Sequence, residues 1–342
     1  MENNEFQTLK NDIKNNNLHN FYVFYGEESF IKNTYMKKIE EMIIGGGFAD
    51  FNLEKFDEMN FNLEYFSNAI ESLPAMAEKK LILVRDFDLF SMKADIKDQM
   101  IDILCDLPDY VCIIFDYATI EFKEDKRQKI SKVLHEHGKL VKFEYLSQRD
   151  VNLWIKKKFS AENIEITDEV CEYLSFIASV SLANLTNECD KLIVHCEEKV
   201  TKNDIDSVCS KVLEAKIFEI TDRILENDIL TAQNLINDLI LLKTSEFSIL
   251  AVINSQFQRL YSAKLGLEQG KNDKFYMDLW GTRSSYAVKM SLTQAKKYNI
   301  KFLREACNLC VKASIDMVSV NIDKIEILEL LMLKLGTINV KN

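Results

Sequence analysis

Proline is nearly missing from this chain: Pro74 and Pro108 are the only two among 342 residues, so long helices can run uninterrupted and each proline marks a compulsory stop. No apolar run reaches the length of a membrane span. The first residues, Met1-Glu2-Asn3-Asn4-Glu5, offer acid and amide instead of a basic flank and an apolar core, which excludes a secretory signal and predicts a cytoplasmic protein. An excess of basic residues is also missing. The net charge is −11, which argues against a free-standing nucleic-acid binder, because phosphate contacts need clustered Lys and Arg. The eight cysteines lie mostly inside apolar stretches, such as Cys112 in Val111-Cys112-Ile113-Ile114 and Cys209 after Val208. There they act as small reduced hydrophobes, and no disulfide framework is implied. What is present is core: 47% hydrophobic content argues against disorder, and the length predicts two or three domains.

Taken in order, Phe6, Leu9 and Ile13 have the spacing of a short helix, and an Asn-rich linker follows. Phe21 to Tyr25 reads as a strand, Gly26 as a turn, and Glu28 to Ile44 as a helix stopped by Gly45-Gly46-Gly47. Phe51 to Phe56 is a weaker, alternating strand. The alternation continues with a helix from Leu63 to Ile70, a strand from Leu81 to Val84 and a helix near Ile96 to Leu104 that ends before Pro108. Val111 to Phe115 is a buried strand, Lys126 to His135 a charged helix stopped at Gly138, and Leu140 to Phe143 a last strand. This pattern predicts an α/β domain over 1–146, with a mostly parallel sheet covered on both faces. Beyond it the strand signal vanishes. Residues 147–213 read as a small all-α domain and 214–342 as a separate bundle of longer helices, with no fixed-period repeat.

Parallel sheets bind ligands beyond the carboxyl ends of their strands, most often at the first strand-to-helix loop. Here that loop is Tyr25-Gly26-Glu27-Glu28-Ser29-Phe30, with one glycine, two acids and no Lys-Ser/Thr pair to meet a terminal phosphate and Mg²⁺. Glu27 and Glu28 at a helix start satisfy its dipole and repel phosphate. Asp116 ends a strand where a metal-binding carboxylate of a nucleotide hydrolase could stand, but Tyr117 follows in place of a catalytic Glu, and a turn-forming role is the plainer reading. Gly26, Glu27, Glu28 and Asp116 together read as a vacated nucleotide site, and no cofactor is expected. Cys307-x-x-Cys310 has metal-like spacing, but it lies in an apolar helical stripe and no second pair supplies further ligands, so no metal is expected. His135, His137 and His195 belong to no catalytic pattern. Lys123, Lys126, Arg127, Lys129 and Lys132 form a basic helix face, either solvated or in contact with phosphate.

One stretch stands apart. Ser72-Leu73-Pro74-Ala75-Met76 follows an amphipathic helix (Leu63, Phe66, Ala69, Ile70), and Pro74 makes it a loop by barring helix and extending Leu73. A loop belongs at the surface, yet this one is apolar. It either folds back on its own domain or enters a pocket on another protein. Lys79-Lys80 just beyond it reads as a solvent-exposed approach to the next strand.

In order and spacing the motifs resemble one family. Tyr22-Val23-Phe24-Tyr25-Gly26-Glu27-Glu28, then Ser72-Leu73-Pro74 before Lys79-Lys80-Leu81-Ile82-Leu83-Val84, then Leu182-x-x-Leu185-x-x-Glu188-x-x-Lys191-Leu192, and Ile217-Phe218-Glu219-Ile220-x-Asp222 are similar to the delta subunit of the bacterial DNA polymerase III clamp loader, over essentially the whole chain. The resemblance implies an AAA+-like α/β N-terminal domain without nucleotide binding, a helical lid and a collar bundle. It implies a clamp-binding wedge at Ser72, Leu73, Pro74 and Met76 that engages the sliding clamp (beta) and opens it for loading onto primed DNA. It implies partners in the tau/gamma motor subunits and delta-prime through the collar, and primer-template DNA within the complex; the basic face makes Lys126, Arg127 and Lys129 the candidate DNA contacts. The chain would then be a non-catalytic subunit of a DNA-directed DNA polymerase holoenzyme, with no membrane partner. One position departs from the pattern: Ser285, where the family usually has Pro, precedes Tyr286-Ala287-Val288-Lys289 and leaves that helix start open. The competing readings are a nucleotide hydrolase with an unusual phosphate loop and a helical scaffold with a relic Rossmann-like domain.

Overall fold

The computed structural model describes residues 4–44, 49–178 and 181–340, and the expected Gly45-Gly46-Gly47 helix stop lies outside them. The chain divides into two compact units, Met1–Leu146 and Ser147–Asn342.

The first unit alternates helix and strand: α1 (Asn4–Lys14), β1 (Phe21–Tyr25), α2 (Ser29–Ile44), α3 (Ala49–Asn52), β2 (Leu53–Asp57), α4 (Leu63–Glu71), β3 (Lys80–Arg85), α5 (Ala94–Cys105), β4 (Val111–Asp116), α6 (Lys129–His137) and β5 (Lys139–Lys142). The five strands form one parallel sheet in the order β2-β3-β4-β1-β5. Burial on both faces explains why β1 and β4 are unbroken apolar runs. Tyr22, Phe24, Leu81, Cys112, Ile114 and Val141 point to one face, against Leu9 of α1 and Ile39 of α2. Their neighbours Phe21, Val23, Ile82, Val84, Ile113 and Phe115 point to the other, against Phe66 of α4, Met100 of α5 and Ile130 of α6. The edge strand β2 exposes Glu54 and Lys55, charges that discourage a further strand from adding there.

Several boundaries differ from expectation by a residue or more, two of them at residues that bear on the candidate sites. Phe51 and Asn52 close the short helix α3, so β2 starts at Leu53. Lys126 and Arg127 precede α6 instead of lying on it, because the Asp125 carboxylate accepts hydrogen bonds from Arg127 N (3.1 Å) and Nε (2.9 Å) and folds the segment into a turn.

The second unit comprises α7 (Gln148–Ser160), α8 (Asp168–Ala178), α9 (Leu182–His195), α10 (Lys202–Val208), α11 (Leu213–Leu225), α12 (Ile229–Leu241), α13 (Glu246–Glu268), α14 (Asp273–Trp280), α15 (Ser285–Lys297), α16 (Ile300–Ser319) and α17 (Lys324–Val340). Ile249, Ile253, Phe257 and Leu260 of α13 are buried against Ile220 of α11, Leu303 and Ala306 of α16 and Leu328 of α17. Cys310 is in this core and Cys307 is partly buried against it. Among the described residues, no His/Cys/Asp/Glu group is arranged to hold a metal ion. The start of α15 is set by Ser284, whose side chain accepts the Ala287 N–H. The sequence reading passed over α14, whose eight residues bury a single side chain, Tyr276, and so carry little periodicity. Its ends are nonetheless marked, by Asn272 as N-cap and by Gly281 at φ 60. No helix among the described residues is long and apolar enough to cross a membrane.

Candidate functional site

The apolar loop leaves the end of α4, and polar side chains fix it at both ends. Ser72 turns extended at φ −69 and ψ 130, its N–H still bonded to Asn68 O, and Pro74 then prevents any return to helix. The Lys80 ammonium donates to Ser72 Oγ at 2.5 Å and to Ser72 O at 3.4 Å. The Tyr110 hydroxyl donates to Glu71 O at 3.2 Å. From the other side Asn52 holds both backbone groups of Ala75, donating to its carbonyl at 2.8 Å and accepting its N–H at 2.7 Å. Leu73, between these grips, is 75% exposed, and Met76, just past Ala75, is 87% exposed. Met76 adopts φ 52, a left-handed conformation that a non-glycine residue keeps only when its surroundings impose it. The loop therefore does not fold back.

The exposed approach expected of Lys79-Lys80 is not observed. Lys80 is 1% exposed, and Lys79 is half-buried with its ammonium donating to Leu18 O. Burial lowers the Lys80 pKa, against the opposing pull of Glu54. The physical reason burial is tolerated is that the Lys80 ammonium finds acceptors in the Ser72 hydroxyl and carbonyl at the loop's base.

At the opposite, carboxyl edge of the sheet, the first strand-to-helix loop is tied shut. Gly26 has φ 109, and a Cβ there would strike the Phe143 carbonyl. Phe143 O accepts the Glu28 N–H at 3.1 Å, Glu27 O accepts the Ser29 N–H at 3.0 Å, and the buried Glu28 carboxylate accepts the Phe30 N–H at 3.3 Å. These are the successive N–H groups that would cradle an anion. Glu28 takes one of them with its side chain, whereas Glu27 does so only through its backbone.

The sequence reading missed Lys32. Counted from Gly26 it occupies the lysine position of a G-x-x-x-x-G-K motif, although Ile31 replaces the second glycine and Asn33 follows where Ser/Thr would stand. Its ammonium lies 2.7 Å from Asp116 Oδ1, with side chains 2% and 6% exposed, and donates to Tyr117 O at 2.6 Å. Asp116 thus meets an internal cation at the floor of a cleft, in place of the turn-forming role expected of it. Asp86, just past β3 at the same edge, is also engaged: its carboxylate accepts N–H groups from Ala118 (2.7 Å), Thr119 (2.7 Å) and Ile120 (3.2 Å) and the Thr119 hydroxyl (2.9 Å). Burial alone would raise its pKa, but these hydrogen bonds outweigh it and hold the carboxyl below its ordinary value. A neighbouring cleft of about 620 Å³ between α2 and the ends of β2 and β3 mixes Lys37, Lys55 and Arg85 with Glu40 and Asp57.

The basic segment is not a single face. Arg127 pairs with Asp125 at 2.9 Å, Lys123 with Glu121 at 3.0 Å and Lys132 with Glu136 at 3.6 Å. Lys126 and Lys129 are exposed, the first in the turn and the second at the start of α6.

A parallel sheet covered on both faces and followed by helices alone defines an α/β protein with an all-α C-terminal part. The family model "DNA polymerase III, delta subunit" matches residues 22–144, and "DNA polymerase III delta subunit, C-terminal domain" matches residues 214–335. The chain belongs to the DNA polymerase III delta subunit family. It is 24% identical over 337 residues to the DNA polymerase III subunit delta of Bacillus subtilis, covering 96% of each chain. It is 25% identical over 309 residues to a probable DNA polymerase III subunit delta of Aquifex aeolicus, covering 88% of this chain and 86% of that one. Its fold is similar to the solved Bacillus subtilis DNA clamp loader delta protein, with a TM-score of 0.62 at 22% identity, over 97% of this chain and 99% of the other.

Proposed function

We propose that this chain serves in the clamp loader as the subunit that grips the sliding clamp (beta) through Ser72, Leu73, Pro74 and Met76 and favours its opening. The observation that carries this reading is a pair of large apolar side chains held in solvent on a loop whose backbone is fixed from both sides. Burying such a side chain in a partner's pocket is worth about 1.5–3 kcal/mol, so two anchors account for a large part of a micromolar affinity. Opening a ring further requires that the loop bind the open clamp surface better than the closed one.

The chain performs this role without nucleotide or catalysis of its own. Supporting that is the loop after β1, where the N–H groups of Glu28, Ser29 and Phe30 and the Lys32 ammonium already have internal partners. Residues 147–213 act as a lid and 214–342 as a collar that joins the tau/gamma motor subunits and delta-prime. Exposed Val311, Ile315 and Val318 recur on one side of α16, a stripe suited to helix packing in an assembly. Primer-template DNA meets the chain only within that complex, with Lys126 and Lys129 as its contacts, and the setting is cytoplasmic. Capture of purified sliding clamp by the isolated chain tests the reading. A chain that is folded yet retains no clamp at micromolar concentrations overturns it.

A further inference from the structure

We infer that Asn52 and Lys80 are positioning residues that pre-organise the exposed loop for docking, an inference that rests on the clamp-binding role proposed for Leu73 and Met76. Neither is itself available to a partner: each is 1% exposed. What they touch is the loop backbone and Ser72. Asn52 satisfies Ala75 on both its N–H and its carbonyl, so the peptide between the two anchors is fixed in orientation. Lys80 reaches the hydroxyl and carbonyl of Ser72, where α4 gives way to the loop.

The physical consequence concerns entropy. A free loop loses conformational freedom when it docks, which subtracts from affinity, whereas a loop already held in its bound shape loses little. Met76 needs such support most, because φ 52 is unfavourable for a side chain with a Cβ and would relax once Ala75 is released. A buried asparagine and a buried lysine are costly to keep, and here both spend their hydrogen-bonding groups on this loop. Nothing in the sequence pattern announces Asn52, which precedes the loop by a helix and a strand.

A double-mutant cycle on the full chain tests this, reading affinity for purified sliding clamp by calorimetry and Ala75 amide exchange by hydrogen–deuterium exchange. Asn52→Ala should speed Ala75 exchange and weaken clamp binding by about tenfold, and Leu73→Ala, worth about a hundredfold in the native background, should cost only about tenfold beside it. Lys80→Met, which keeps the apolar stem, should behave likewise from the other end. Asn52→Asp retains the acceptor for the Ala75 N–H and separates loss of the bracket from general loss of packing. Rapid Ala75 exchange with unchanged affinity, or strictly additive losses, overturns the inference. If Leu73→Ala itself leaves clamp binding intact, the docking role fails instead, and the exchange measurement still reports whether Asn52 holds the loop.

Discussion

Lys32 and Asp116 show how one residue pair can occupy a site that the fold leaves at its strand ends. Two charges withdrawn from water stabilise a protein little in net terms, but removing one of them leaves the other buried and unpaired. Lys32→Met or Asp116→Asn should therefore lower unfolding free energy by about 3–5 kcal/mol in urea titrations, while Lys32→Met with Asp116→Leu should recover most of that loss. Equal damage from the double variant would show that the pair does more than neutralise itself. Asp222 is the converse case. Burial raises its pKa, against the hydrogen bond from Gln294. The folded chain then binds that proton more tightly than the unfolded one, so stability falls as pH rises from the ordinary carboxylate value through the raised one. Asp222→Asn should flatten that slope and leave the protein more stable at neutral pH than the parent, with the difference shrinking toward pH 4 in thermal melts.

Among the elements, the ends of β3 and β4 are held together through Asp86, whose carboxylate takes three N–H groups from the segment after β4. Its lowered pKa makes a contribution that is present above the ordinary carboxylate value and lost as pH falls through the lowered one. Asp86→Ala should cost about 1–3 kcal/mol at neutral pH and remove that acid dependence, measured by denaturant melts at a series of pH values. The strands that anchor these contacts were plain in the sequence, because β1, β3 and β4 are short apolar runs of five or six residues rich in β-branched and aromatic side chains, too short for buried helices. The apolar loop was visible too, since Pro74 interrupts a pattern that hydrophobic periodicity would otherwise carry forward. Lys32 was hidden because its motif has lost the second glycine, and its partner Asp116 lies on a distant strand that only the folded sheet brings near. Asn52 and Lys80 were hidden for a related reason: a buried polar residue is recognised by the groups it satisfies, and these belong to other segments. The basic face was misread because its helix starts later, a boundary set by one Asp125 side chain.

For the whole molecule, a net charge of −11 and the pairing of Lys123, Arg127 and Lys132 with neighbouring acids leave little field for DNA. The isolated chain should bind primer-template weakly, with affinity falling steeply as salt rises, as fluorescence anisotropy across a salt series would record. Tight binding lost in Lys126→Glu/Lys129→Glu would instead make that segment a primary DNA site. On the proposed function, Leu73 and Met76 serve a partner and not the fold. Their exposure separates the two, because core residues replaced by Ala leave cavities and cost several kcal/mol, whereas exposed anchors do not. The most direct measurement is the affinity of Leu73→Ala/Met76→Ala for purified sliding clamp, with the melting temperature taken on the same sample. If the two side chains are exposed anchors, the melting temperature stays within a degree or two of the parent and clamp binding weakens by roughly a hundredfold or more. A variant that melts many degrees lower, while its folded fraction still binds clamp normally, would contradict that reading.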